Sequence, residues 1–156
     1  MMTATAQAKL NLTLEVLKKR PDGFHEIRSV VQTISFQDKI KVSPGARLEI
    51  KCNLPGWSAS KSLVSRAVTL LRDSARISQG ALIEIEKKIP LSSGLGGDSS
   101  DAAAVLRGLN LLWNLKLSIR DLLKIGAQLG SDVPLFFYGG TLLAEGRGEN
   151  IRPLRP

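Results

Sequence analysis

Residues 90–104, Pro90-Leu91-Ser92-Ser93-Gly94-Leu95-Gly96-Gly97-Asp98-Ser99-Ser100-Asp101-Ala102-Ala103-Ala104, form the densest cluster of chemically useful residues in the chain. Glycines let a backbone approach a ligand closely and adopt positive φ. If a helix opens here, the unpaired amides of its first turn point at one spot, and its dipole favours an anion there. Ser99 and Ser100 add hydroxyl donors. Such a loop can cradle phosphate, and it can equally be a plain N-cap after a flexible turn; the two serines favour phosphate. It is neither a Walker A loop nor GxGxxG. Asp98 is awkward, because a carboxylate repels phosphates unless it points away or meets a metal. Asp101 suits the dipole of the first turn, which predicts a capping role.

Three further groups carry candidate chemistry. Asp132 lies in Gly130-Ser131-Asp132-Val133-Pro134, after a helix and before an apolar run. An acid there is disfavoured by the dipole, so it either caps the next element or serves as a functional carboxylate. Lys9 and Asn11 share the polar face of an N-terminal strand. Lys9 is either a solvated surface charge or the partner of an acid such as Asp132 and of a phosphate. Arg20-Pro21-Asp22-Gly23-Phe24-His25-Glu26 is a turn whose Phe24 and His25 could hold a planar base, although a lone histidine is more often structural.

The elements that position these groups follow from hydrophobic period. Residues 8–17 alternate, with Leu10, Leu12, Leu14 and Val16 on the face expected to be buried. Pro21-Asp22-Gly23 turns the chain. Residues 25–35, 38–43 and 46–52 read as three strands, the first two parted by Gln37-Asp38. Residues 60–76 switch to helical spacing, and 81–86 return to a strand. A helix should follow over about 99–113. Ser118 and Asp121 form a capping box for another helix, which should stop near Gly130. Residues 135–143 read as an apolar strand interrupted at Gly139-Gly140. The pattern predicts an α+β domain with a mostly antiparallel sheet.

Composition narrows the function. The 156 residues carry net charge +8, and 43% are apolar. That composition is ordinary for a folded domain of about this length. No run of about 18 apolar residues occurs, so no membrane span is expected. Met1 to Leu17 is interrupted by Lys9 and Glu15, so no secretory signal is expected either. Cys52 is the single cysteine and His25 the single histidine. This excludes an internal disulfide and a cysteine- or histidine-pair metal site, and it suits a reducing cytoplasm. The basic excess is diffuse and aromatics are only 4%, which disfavours nucleic acid. Attraction for phosphorylated small molecules explains the charge equally well.

The loop Pro90 to Ala104 resembles the ATP-binding motif of the GHMP kinase superfamily. Ala8-Lys9-Leu10-Asn11-Leu12, Arg20 to Glu26 and Gly130 to Pro134 narrow the resemblance to its branch acting on a cytidine-diphosphate-linked methylerythritol, in the non-mevalonate route to isoprenoids. The match runs from about Ala6 to Pro153. The resemblance implies the ribosomal protein S5 domain 2-like fold, with helices on one side of the sheet. It implies transfer of the γ-phosphoryl of ATP, with Mg²⁺, to the 2-hydroxyl of the small-molecule substrate. Asp132 matches the catalytic base and Lys9 its partner. Asn11, Phe24 and His25 match substrate-side positions. Pro90, Gly94, Leu95, Gly96, Gly97, Asp98, Ser99 and Ser100 match the phosphate loop, and Lys88 a position close to the nucleotide. Asp98 stands where the family usually has glycine, and Phe24 where tyrosine is common. Family members run to roughly twice a single-domain length. The chain is therefore expected to be one domain, residues 1–156, equivalent to the N-terminal domain with the C-terminal one absent. Other GHMP kinases of the homoserine or mevalonate type, a nucleotide-binding fragment without turnover, and an RNA-binding module of the same fold are the alternatives.

Overall fold

The computed structural model describes residues 1–155. In chain order it comprises β1 (Met2–Asn11), β2 (Glu15–Lys19), β3 (His25–Pro44), β4 (Leu48–Cys52), α1 (Leu63–Ala75), β5 (Ala81–Glu86), α2 (Gly97–Leu112), α3 (Ile119–Leu129), α4 (Leu135–Tyr138), β6 (Thr141–Gly146) and β7 (Asn150–Pro153). The long β3 organises the sheet. β1 and β2 line one of its edges, and β5 and β6 share the other in the order β4-β5-β3-β6-β7. β4 runs parallel to β5, and the other pairings are antiparallel. No described helix is long and apolar enough to cross a membrane.

The faces of the first strand are the reverse of the expectation. Leu10, Leu12, Leu14 and Val16 are exposed, whereas Ala6, Ala8 and Lys9 are buried. The strand also stops at Asn11, and β2 begins at Glu15. A bulge between Gln7 and Lys9 shifts the register against β3. With a period of two, one residue of slip exchanges the faces. β3 shows the same change of phase: Ser29, Val31 and Thr33 are buried, then Asp38, Ile40 and Val42. This explains why Gln37-Asp38 resembles a break. The ladder with β1 runs straight through it, pairing Gln7 with Gln37 and Ala6 with Asp38.

The helices cover the inner face of the sheet. Ile40, Val42, Ile83 and Ile85 point into the main core, where they meet Ala102, Ala103, Leu106 and Leu109 of α2. Gly108 permits the close approach, since a Cβ there would lie 2.9 Å from Val42 Cγ2. Lys39, Lys41, Glu84 and Glu86 alternate onto the exposed outer face. Ser118 and Asp121 form the expected capping box of α3. The apolar run after Pro134 is not one strand. It is a single helical turn, α4, followed by β6, because Gly139 and Gly140 take φ of +70° and +73° and turn the chain between them. A smaller core of Val31, Leu135, Leu142 and Ala144 fixes α4 against the sheet.

Candidate active site

The glycine loop joins β5 to α2, and its backbone is fixed from two sides. Gly94 and Gly96 take φ of +77° and +73°, and Gly96 is the N-cap of α2. A Cβ on Gly96 would lie 2.8 Å from Phe136 Cζ and 3.1 Å from Lys9 Cγ, so glycine alone fits between them. The Lys9 amide donates to the Leu95 carbonyl at 2.9 Å, tying the loop to β1. The loop surrounds a cavity of about 190 Å³ lined by Pro90, Gly94, Gly96, Gly97, Asp98 and Ser99, with Lys87 at its base. Ser100 is buried and borders a separate cavity with Gln7, Thr33 and Arg107. Lys88 is exposed and pairs with Glu86 at 3.6 Å. Neighbouring residues of an extended segment point in opposite directions, so it is Lys87 that faces the loop.

Asp101 is not a helix cap. It is buried, and its Oδ2 accepts from Lys87 Nζ at 2.9 Å. Lys87 Nζ also donates to Asp38 Oδ2 at 2.7 Å. Asp38 Oδ1 in turn accepts from the amides of Lys88 and Ile89. Burial raises the Asp101 carboxyl to about 7, against the opposing pull of Lys87. Burial pulls the Lys87 ammonium down, but Asp101 and Asp38 outweigh it and hold it above its ordinary value. Sequence spacing could not join residues so far apart in the chain. The one available clue was a polar residue at an inward strand position, Asp38.

Lys9, Asn11 and Asp132 converge. Lys9 Nζ lies 3.4 Å from Asp132 Oδ2 and donates to Asn11 Oδ1 at 2.8 Å. The lysine is largely enclosed, with a side-chain exposure of 11%, whereas Asp132 is open at 39%. The acid sits in the turn between α3 and α4, where Leu135 donates its amide to the Asp132 carbonyl. Gly126 lets that turn close onto α3, since a Cβ there would press on Phe137 and Val133. A carboxylate open to solvent, beside an ammonium held by β1, can accept a proton while the ammonium offsets nearby negative charge.

Phe24 and His25 are exposed at the tip of the turn between β2 and β3. Asp22 Oδ1 accepts the Phe24 amide at 3.2 Å, and Arg20 bridges Asp22 and Glu26. Arg147, from the β6–β7 turn, stacks 5.0 Å above the Phe24 ring, a contact that sequence spacing did not reveal. The residue after that arginine approaches the acid: a Cβ on Gly148 would lie 3.6 Å from Ser131 Cβ, beside Asp132. The aromatic turn and the acid thus share one rim without touching.

A glycine loop opens a helix over a mostly antiparallel sheet, with a Lys–Asp pair at its flank, and the chain belongs to the GHMP kinase family: residues 62–140 match the GHMP kinases N terminal domain. A 4-diphosphocytidyl-2-C-methyl-D-erythritol kinase from Dehalococcoides mccartyi is 51% identical over 99% of this chain and 54% of its own length. The enzyme of that name from Bacillus subtilis is 45% identical over 94% of this chain and 52% of its own. Among solved structures, a 4-(cytidine 5'-diphospho)-2C-methyl-D-erythritol kinase superposes with a TM-score of 0.84 at 37% identity, covering 98% of this chain and 55% of that one. A mevalonate kinase superposes at 0.76 with 18% identity, which shows the shared fold alone. The chain spans about half the length of the curated relatives it matches.

Proposed function

We propose that the chain is the nucleotide-binding half of a kinase that transfers the γ-phosphoryl of ATP to the 2-hydroxyl of 4-diphosphocytidyl-2-C-methyl-D-erythritol. The observation that carries this is the Lys9–Asp132 pair at 3.4 Å, on the strand whose Lys9 amide holds the Leu95 carbonyl of the glycine loop. Phosphoryl transfer needs mainly positioning and charge stabilisation, plus a group that takes the hydroxyl proton. Asp132 takes that proton. Lys9 keeps the acid ionised and offsets charge on the transferring group, while Asn11 holds the Lys9 ammonium in place. The amides of Gly94 to Ser99 receive the phosphates, with the α2 dipole behind them. Lys88 meets the nucleotide only as an exposed side chain at the rim, and Ser100 supports the loop from its buried side. Phe24 and His25 hold the cytosine, and Arg147 steadies the Phe24 ring from the other side.

Among the described residues no group of three or more acidic, His or Cys side chains is spaced to hold a metal. Mg²⁺ enters this proposal with the nucleotide, whose phosphates would supply most of its protein-independent ligands. A cytoplasmic location fits the lone, unpaired Cys52. Residues 1–156 then form one GHMP N-terminal domain, and a second domain corresponds to the rest of the relatives' length.

The test joins this chain to the remaining half of a relative and supplies ATP, Mg²⁺ and one candidate alcohol at a time. Phosphorylation of the cytidyl substrate, with homoserine and mevalonate untouched, is the expected result. Phosphorylation of either of those instead would reject the assignment.

A further inference from the structure

The loop cavity is floored by a buried charge cluster that the transfer chemistry leaves unused. Lys87 Nζ stands 2.7 Å from Asp38 and 2.9 Å from Asp101, with side-chain exposures of 2%, 0% and 2% respectively. Each member grips a different part of the site. Asp38 belongs to β3 and holds the backbone amides of Lys88 and Ile89, where the chain enters the loop. Asp101 belongs to the first turns of α2, where the chain leaves it. Lys87 joins the two, and its ammonium would lie 3.0 Å from a Cβ on Gly97, directly beneath the start of the helix. Removing the lysine side chain would break the tie between the two ends of the loop.

The cluster also has an unusual charge for its position. Two carboxylates share one ammonium, so the floor is negative by one, and Asp98 adds an exposed carboxylate 3.9 Å from Lys87. Asp101 Oδ1 is buried with no hydrogen-bond partner. A buried acceptor left unpaired is expensive, and a polyphosphate arriving above it adds repulsion. One proton on Asp101 relieves both the charge and the repulsion.

We infer that Lys87, clamped between Asp38 and Asp101, is the positioning residue of the phosphate loop, and that Asp101 takes up a proton when a polyphosphate binds there. The inference rests on the nucleotide-binding reading above. The groups facing Asp101 are Asp38 from β3, Lys87 after β5 and the Cys52 thiol of β4, which burial raises, and Asp98 on α2 faces the same Lys87 ammonium at 3.9 Å. The Lys9 ammonium is committed to Asn11 and Asp132. Burial holds the free Asp101 carboxyl at about 7, so near neutrality it is poised to gain the proton.

Calorimetric titration of the chain with a non-hydrolysable ATP analogue and Mg²⁺, in buffers of different ionisation enthalpy, reads the proton directly. A group half-protonated at pH 7 can take up at most about half a proton there. Wild type should take up a fraction approaching this and bind more tightly as pH falls from 8 to 6. Asp101→Asn should bind without that uptake and more tightly than wild type at pH 8; subtracting it removes the analogue's own protons. Lys87→Met should weaken binding by about tenfold or more through loss of loop geometry, with circular dichroism showing a folded chain. Should Lys87→Met fail to fold, the Asp101→Asn comparison still decides. Equal uptake in wild type and Asp101→Asn, or an unchanged dissociation constant in a folded Lys87→Met, overturns the inference while leaving nucleotide binding intact. A folded wild type that binds no nucleotide overturns the underlying reading, and this one with it.

Discussion

Gly96→Ala is the sharpest probe of the cradle, because two separate penalties converge on one atom. The backbone there has φ of +73°, and placing an L-residue in left-handed space costs roughly 1–2 kcal/mol. The new methyl would also lie 2.8 Å from Phe136 Cζ and 3.1 Å from Lys9 Cγ. Phe136 is half-buried, and pushing its ring off its rotamer adds about 1 kcal/mol. The sum is roughly 2–3 kcal/mol, which corresponds to about 30- to 150-fold in affinity if the bound loop alone carries it. Gly94→Ala separates the two contributions. Gly94 has φ of +77° but nothing within 4 Å of a Cβ, so only the backbone penalty remains, roughly 1–2 kcal/mol. Titration with the ATP analogue gives the affinities, and thermal melting shows how much of each penalty falls on the fold instead. Gly96→Ala should lose more than Gly94→Ala in the combined loss of affinity and stability. If Gly96→Ala changed neither the dissociation constant nor the melting temperature, the loop would not be the cradle described.

Other expectations are simpler. Asp132→Asn, in the form joined to a relative's second half, should abolish transfer while nucleotide affinity changes little, and normal turnover would remove Asp132 as the base. The Asp101 carboxyl is held near 7, against an ordinary value of 3.8. A raised acid stabilises the fold below its ordinary value, and that stability is lost as pH rises toward 7. The contribution of Asp101 to wild-type stability should therefore fall between about pH 4 and pH 7, by up to about 4 kcal/mol from linkage, against the opposite contributions of the lowered Asp22, Glu49 and Asp121 carboxyls. The stability of wild type relative to Asp101→Asn should fall across that range in urea melts, and a pH-independent difference would place the titration elsewhere. Asp121→Ala removes the half of the α3 capping box in which Asp121 Oδ2 accepts from the Ser118 amide and hydroxyl, and leaves the residue 121 amide donating to Ser118 Oγ. It should cost about 1 kcal/mol in chemical denaturation, and no change would mean that the α3 terminus is held without Asp121.

Much of the fold is legible in the chain because its signals are local. The helical spacing over residues 60–76, the alternation over 81–86 and the Ser118/Asp121 box each reappear as α1, β5 and the α3 cap. What was not legible depends on partners distant in the chain. The bulge at Gln7/Lys9 exists because β1 must follow β3 through its own irregularity. Alternation therefore assigned Leu10, Leu12 and Leu14 to the wrong face. Lys9 and Asp132 could be suspected from their types, but their pairing comes from the way α3 returns the acid to β1. Lys87 and Lys88 are indistinguishable as residue types. Only the direction of the segment after β5, and the carboxylates of Asp38 and Asp101, separate the buried cation from the solvated one. Arg147 stayed hidden because its partner Phe24 lies on another turn. The net charge of +8 also reads differently once placed: Lys39, Lys41 and Lys51 line one outer-face groove, interleaved with Glu84 and Glu86 rather than forming an unbroken basic surface.

The most direct test of the central claim is a calorimetric titration of the 156-residue chain with 4-diphosphocytidyl-2-C-methyl-D-erythritol. It is made in the presence of the non-hydrolysable ATP analogue and Mg²⁺, with homoserine and mevalonate as comparators. Binding of the cytidyl compound in the micromolar range, about −8 kcal/mol, with both comparators silent, is the predicted result. A folded chain that binds homoserine or mevalonate but not the cytidyl compound, or that binds none of the three, would contradict it.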